Sequence, residues 1–325
     1  MREVVFIRQN KEKWLEVEQV IGGICKKNPD ELSSMYISLV NDLSYSQTYY
    51  PKSNTTVYLN HLASQVFQKI YKTRRIERNR FLHFFKTEVP LLMYENRRYL
   101  YFAFGFFTLF ILIGFISSFY DKEFAKVILG QGYVDMTIEN IKNNNAVGVY
   151  QQDSEWGMSF AIIFNNIQVG AKLFIYGVFG GVGTLFILMY NAIMVGTFQY
   201  FFHEYGALAA SARGIWLHGT FEIFSMVVEA AAGLMLGASL LFPGTLTRFQ
   251  SFKNGFKGAF KIFLSTLPFT IIAGVIEGYV TRHALVMPLA INLLLIFGSL
   301  FVISYYYFVY PIIVHKKNQR NVSIL

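Results

Sequence analysis

Charge is what this sequence has least of. Only 15% of its 325 residues are charged, whereas 54% are hydrophobic and 18% aromatic; soluble domains carry about a quarter charged residues. The mean hydropathy is +0.36. Such a composition argues against an ordinary water-soluble domain and for a bilayer as solvent. Cysteine occurs once, at Cys25, which excludes an intrachain disulfide and leaves a free thiol. Seven prolines add little loop content. The opening stretch MREVVFIRQNKEKWLEVEQV lacks an apolar core with a small-residue cleavage site, so the first 97 residues are expected on the cytoplasmic side. HExxH, GxSxG and a phosphate-binding glycine–lysine loop are all missing, and no cofactor is expected. The net charge of +9 is concentrated beside apolar segments, where lipid headgroups account for it better than nucleic acid.

What is present is helical pattern. Up to Arg98 the chain reads as three helices preceded by a shorter element over Lys13 to Cys25. Pro29 opens one helix, with acidic residues in its first turn, and Pro51 follows its end. The next is expected to be capped by Asn54 or Thr55, with Val57, Leu62, Val66 and Ile70 facing inward. RNRFLHFFKTEVPLLMYENRR interleaves basic residues with Phe81, Phe84, Phe85, Val89 and Leu92, the pattern of a helix lying in the headgroup plane.

Beyond it, six segments hold the roughly 20 apolar residues that a crossing needs: 99–120, 158–181, 184–202, 215–242, 262–280 and 287–314. Glycine-rich GVFGGVGT separates the second from the third, and if that pair formed one re-entrant element the count would fall to four. Basic stretches lie before the first span, at 248–261 and after the last. The stretch 120–157 holds six acids against three lysines. Positive-inside logic therefore puts both termini in the cytoplasm and the acidic loop outside. The expected fold class is all-α: a polytopic membrane bundle of about six spans with a cytoplasmic helical domain over 1–77 and an interfacial helix over 78–98. The membrane domain covers 99–314, with its outer loop at 121–157 and a cytoplasmic tail at 315–325.

Polar residues at membrane depth are costly and mark function or a helix clamp. Asn165, Asn166, Gln168 and Lys172 lie in the second span, Asn191 and Gln199 in the third, and Glu277 in the fifth. On the fourth, His218, Glu222, Ser225 and Glu229 recur at steps of four, three and four, a single stripe that should face the bundle. Asn165, Asn166 and Lys172 are its expected partners. Gly177 with Gly181, and Gly233 with Gly237, form GxxxG pairs suited to packing within the chain or, secondarily, to a homodimer face. Gly219 is read as letting a neighbouring backbone approach the stripe. His218 and Glu222 can ligate zinc, with His203 as a third candidate, but two ligands make no site. A buried histidine–carboxylate hydrogen bond and acid–base chemistry are the other readings.

The ordered set IFNNIQVGAK, GVFGGVGTLFILMYNAIMVG and WLHGTFEI resembles the membrane core of the stage II sporulation protein M family. The matching positions are Asn165, Asn166, Gly177, Gly181, Asn191, Gly196, His218, Gly219 and Glu222. Leu217 stands where the family often has proline, and Asn191–Ala192 where it has asparagine–glycine. The first hundred residues look like the extension of the family's non-sporulating branch. The resemblance implies a multi-pass protein of the bacterial inner membrane. It implies a scaffold rather than an enzyme, with membrane lipids, other envelope membrane proteins or peptidoglycan-remodelling proteins as partners. A transporter or lipid-handling protein with a polar cavity, and a membrane-embedded metal-dependent hydrolase, are the rival functions.

Overall fold

A computed structural model describes residues 2–23, 25, 27–72, 79–143 and 155–322. No strand occurs among them. The chain divides into two compact units, Met1–Arg80 and Phe81–Leu325. The expected boundary at 77/78 and the tail beyond 322 lie outside the described residues, as does 144–154 of the acidic loop.

The first unit is three helices: α1 (Glu3–Ile21), α2 (Pro29–Tyr49) and α3 (Asn54–Lys72). The first runs from Glu3, much earlier than the short element read at Lys13, because Phe6, Trp14, Val17 and Val20 form one buried face despite the charges between them. Asn28 caps α2 in a reciprocal box: its side chain accepts from the Glu31 N–H at 2.8 Å and its own N–H donates to the Glu31 carboxylate at 3.3 Å. Ser53, rather than Asn54 or Thr55, caps α3 by accepting from the Thr55 N–H at 3.0 Å. Val57 is exposed and Leu59 takes the inward place, with Leu62 and Val66. The Trp14 indole packs edge-on against Phe6 and donates to Asp42 at 2.9 Å.

The second unit begins with α4 (Arg80–His83), a π-turn at Phe84–Glu88 and α5 (Val89–Glu95). Phe81, before this turn, is exposed, whereas Val89, Pro90 and Met93 beyond it are buried. Tyr306 and Tyr310 donate to the Phe85 and Lys86 carbonyls at 3.0 and 3.2 Å, which ties this helix to the bundle.

Among the described residues, six helices are long and apolar enough to cross a membrane: α6 (Arg97–Tyr120), α9 (Glu155–Ile175), α10 (Val182–Glu204), α11 (Leu208–Leu241), α12 (Arg248–Val275) and the last, formed by α13 (Leu289–Ser304) continuing through a π-turn into α14 (Tyr310–Val322). Six separate helices replace the four-span alternative, since Gly180 and Gly181 at φ 65° and 86° make a tight turn between α9 and α10. The acidic segment is structured too: α7 (Phe124–Leu129) and α8 (Gln131–Lys142) pack on Phe201, Phe202 and Ala207.

Helix α11 is the axis, packed against α6, α9, α10, α12 and α13. Its 34 residues extend about 50 Å, well beyond the roughly 30 Å of a hydrocarbon core. The two GxxxG pairs face each other inside the chain. A Cβ on Gly177 would land on the Gly233 carbonyl, and one on Gly237 on the backbone of Gly180 and Gly181. The Thr184 hydroxyl adds a staple to the Leu173 carbonyl at 2.8 Å. Backbones thus meet without side chains between them.

Candidate functional site

The stripe on α11 turns inward at the end of the bundle nearest α7 and α8. His218, Ser225 and Glu229 are each 3% exposed or less. Helix α12 supplies the facing wall, and a π-turn at Ile276–Val280 decides what it presents. That turn carries Glu277 to His218: Nε2 lies 3.6 Å from the Glu277 carboxyl. His218, Glu222 and Glu277 each offer a ligand atom, all within 4.8 Å of one another.

Neighbouring groups orient the three. The Thr281 hydroxyl oxygen lies 2.9 Å from His218 Nδ1 and 3.3 Å from the Ile276 carbonyl oxygen. With Nδ1 held by the Thr281 hydroxyl, the other ring nitrogen, Nε2, faces Glu277. Asn166 of α9 donates its amide to the Glu222 carboxyl. Two turns further along α11, Glu229 accepts from Thr266 at 2.7 Å. Gly170 on α9 makes room for it, since a Cβ there would fall on the Glu229 carboxyl group.

A cavity of about 640 Å³ runs from α7 and α8, at Ile128 and Tyr133, past the cluster to Glu229. Among the described residues, three carboxyl groups line it and no lysine or arginine does. Burial pushes the phenol of Tyr133 up to about 12, with a hydrogen bond involving Thr137 pulling the other way, so it stays protonated beside the cluster.

Asn165, Asn166 and Asn191 line this cavity, as do Gln199, His218, Glu222, Ser225, Glu229 and Glu277. Asn191 donates its amide to the Ile187 carbonyl of its own helix at 2.8 Å. Lys172 and Gln168, on the same helix as Asn166, are exposed and do not line the cavity. His203 is exposed at the end of α10, away from the cluster; Glu277 holds the third position instead. Gly219 also lines the cavity. A Cβ there would meet only Ile215 of its own helix, at 3.7 Å, so this glycine widens the cavity and admits no neighbouring backbone. Sequence reasoning missed Tyr133, Gly170, Thr266 and Thr281. Thr281 had one signal, its i+4 spacing from Glu277, whereas nothing local in the sequence marked Tyr133.

Six apolar helices around an acidic interior define a multi-pass membrane protein with a cavity inside its bundle. Residues 103–282, over half the chain, match the family model of stage II sporulation protein M, and the chain belongs to that family. The matched range contains every residue of the His218 cluster and ends before the last span. Residues 4–72 match a separate family, a domain of unknown function (DUF8413), rather than an extension of the same one. No curated protein and no solved structure matches the chain.

Proposed function

We propose that this member of the family binds a cationic ligand inside its bundle and that the bundle serves as a ligand-handling device of the bacterial inner membrane. One observation carries the reading: a cavity of about 640 Å³ reaches His218, Glu222, Glu229 and Glu277 with no lysine or arginine among the described residues of its walls. Carboxyl groups at membrane depth need a compensating positive partner or water, and here the cavity itself supplies the room. The ligand class is a metal cation or an ammonium-bearing solute or lipid headgroup. Basic stretches at the ends of α6, α12 and α14 favour the cytoplasmic side, so the cavity opens outward, beneath α7 and α8.

Thiol labelling tests this directly. In a Cys25→Ser chain, Gly219→Cys places the only thiol on the cavity wall. A membrane-impermeant cationic thiol reagent applied from the α7–α8 side should label it several-fold faster than an anionic one, as field focusing in an acidic cleft requires. Absence of labelling, or equal rates, would refute the reading.

A second reading has its own support. The three-helix unit matches a family separate from that of the membrane core, which suits a chain that recruits envelope membrane proteins from the cytoplasmic face through a module of its own. Pull-downs from native membranes with residues 1–80 deleted should lose those partners. Retention of the same set would sink the idea.

A further inference from the structure

We propose that His218, Glu222 and Glu277 form a divalent-metal site on the cavity wall, with zinc as the ion that suits the donors best. The proposal rests on the cavity reading and names its ligand. One imidazole nitrogen and two carboxylate oxygens are a zinc-type donor set of nitrogen and oxygen. Tetrahedral zinc with bonds near 2.0–2.1 Å spaces its ligand atoms about 3.3 Å apart. His218 Nε2 and the Glu277 carboxyl stand at 3.6 Å, and all three donors lie within 4.8 Å, so small side-chain rotations close the site.

The surroundings are those a metal site needs. His218 and Glu222 are one turn apart on the most buried helix of the bundle, and the π-turn of α12 brings Glu277 across to them. Thr281 fixes the imidazole so that Nε2 points at the carboxyl groups, and Asn166 orients Glu222. Such outer partners set ligand geometry and are worth 10- to 100-fold in affinity. Two carboxylates and a neutral imidazole carry the charge that one divalent ion balances. The remaining coordination positions face the cavity, leaving space for water or a ligand oxygen.

An independent observation points the same way. The Ser225 hydroxyl, 1% exposed on the same cavity wall and one turn from Glu222, has no hydrogen-bond partner among the described residues. Buried hydroxyls are nearly always paired. A metal-bound water or ligand in the cavity would supply what Ser225 lacks.

The test uses the full-length chain, purified and stripped of metal. Titration with zinc should give about one ion per chain, as a single closed site requires. Cobalt in its place should give visible d–d absorption with a tetrahedral signature. Glu277→Gln keeps the shape but removes a ligand charge and should abolish both signals. Thr281→Val should weaken zinc binding by 10- to 100-fold. His203→Ala should leave binding unchanged. Absence of stoichiometric zinc, or binding untouched by Glu277→Gln and Thr281→Val, would overturn the proposal. If those variants fail to stay monodisperse, the chain carrying Gly219→Cys decides: zinc should slow its labelling, and an unaltered rate counts against the site. Labelling without zinc binding refutes the metal alone, whereas absence of labelling refutes the cavity beneath it.

Discussion

Two glycines on the same helix should respond to alanine with opposite sign. Gly233 and Gly219 both lie in α11, so the gain in helix propensity on replacement is common to both, about 1 kcal/mol each. At Gly219 the new methyl meets only Ile215 Cγ2, at 3.7 Å, an ordinary contact. The propensity term should win there, giving a variant more stable by up to about 1 kcal/mol. At Gly233 the methyl would fall on the Leu173 carbonyl oxygen and within 3.0 Å of Thr184 Cγ2. The nearest obstacle is backbone on α9 and cannot swing away. Overpacking of this kind costs about 1–3 kcal/mol, and moving Leu173 also disturbs its bond from Thr184, worth about 1 kcal/mol more.

The net for Gly233→Ala is therefore a loss of about 1–3 kcal/mol once the propensity gain is subtracted. The two variants should differ by about 2–4 kcal/mol, or several degrees in melting temperature. Heating purified protein in one detergent and following the monodisperse fraction by gel filtration would read the difference. If Gly233→Ala melted with wild type, the close approach of α9 and α11 would be wrong. If instead it melted normally but dissociated a dimer, the GxxxG face would be intermolecular. A loss at Gly219→Ala as large as at Gly233→Ala would remove the argument that this position borders open space.

Three further outcomes follow from local geometry. Trp14→Ala removes the indole between Phe6 and Tyr58, a loss of about 3–5 kcal/mol that should open residues 1–80 to limited proteolysis while the membrane unit stays intact. Thr184→Val should lower thermal stability by about 1 kcal/mol and Thr184→Ser should restore it, since only the hydroxyl reaches the Leu173 carbonyl. Hydrogen bonds from Ser53 and Thr55 hold the Glu3 carboxyl below its usual value of 4.5. Its stabilising contribution is thus present above that value and lost as pH falls through the lower, folded one. Hydrogen exchange in α1, corrected for intrinsic rates, should then rise on acidification more in wild type than in Glu3→Gln, and equal rises would refute it.

Much of the fold is legible in the sequence because the bilayer writes it in length. A run of about 20 apolar residues reads as a span whatever it packs against, and a polar stripe at steps of four, three and four fixes which face of α11 turns inward. What is not legible depends on hydrogen-bond register and on contacts between distant segments. A π-turn adds one residue to a turn without changing composition, so nothing local announces that Glu277 joins His218. Val57 and Leu59 are both apolar, and only packing against α1 and α2 decides between them. Lys172 shares a helix with Asn166 but is six residues on, a rotation of about 240°, which carries it off the Glu222 face. The helices α7 and α8 are too short for a period to show, yet they supply Ile128 and Tyr133 to the cavity.

The division of α11 explains how an acidic cavity can persist inside a membrane bundle. From Gly233 to Gly237 the helix lies backbone to backbone against α9 and its turn, an interface without long side chains to rearrange. From His218 to Glu229 the same helix borders open space. Opening a cavity forfeits packing along its lining, a loss that close contacts in the neighbouring half of the helix offset. The tight half therefore holds the loose half apart. Thr266, Thr281 and Asn166 then orient side chains that a flexible bundle would let collapse onto one another. Because the cluster draws on α9, α11 and α12 together, loosening the glycine contact should weaken ligand binding more than a distance of about three turns suggests. Gly233→Ala should thus lose zinc affinity as well as stability. If affinity stayed at the wild-type level in a destabilised chain, the two halves of the helix would be independent.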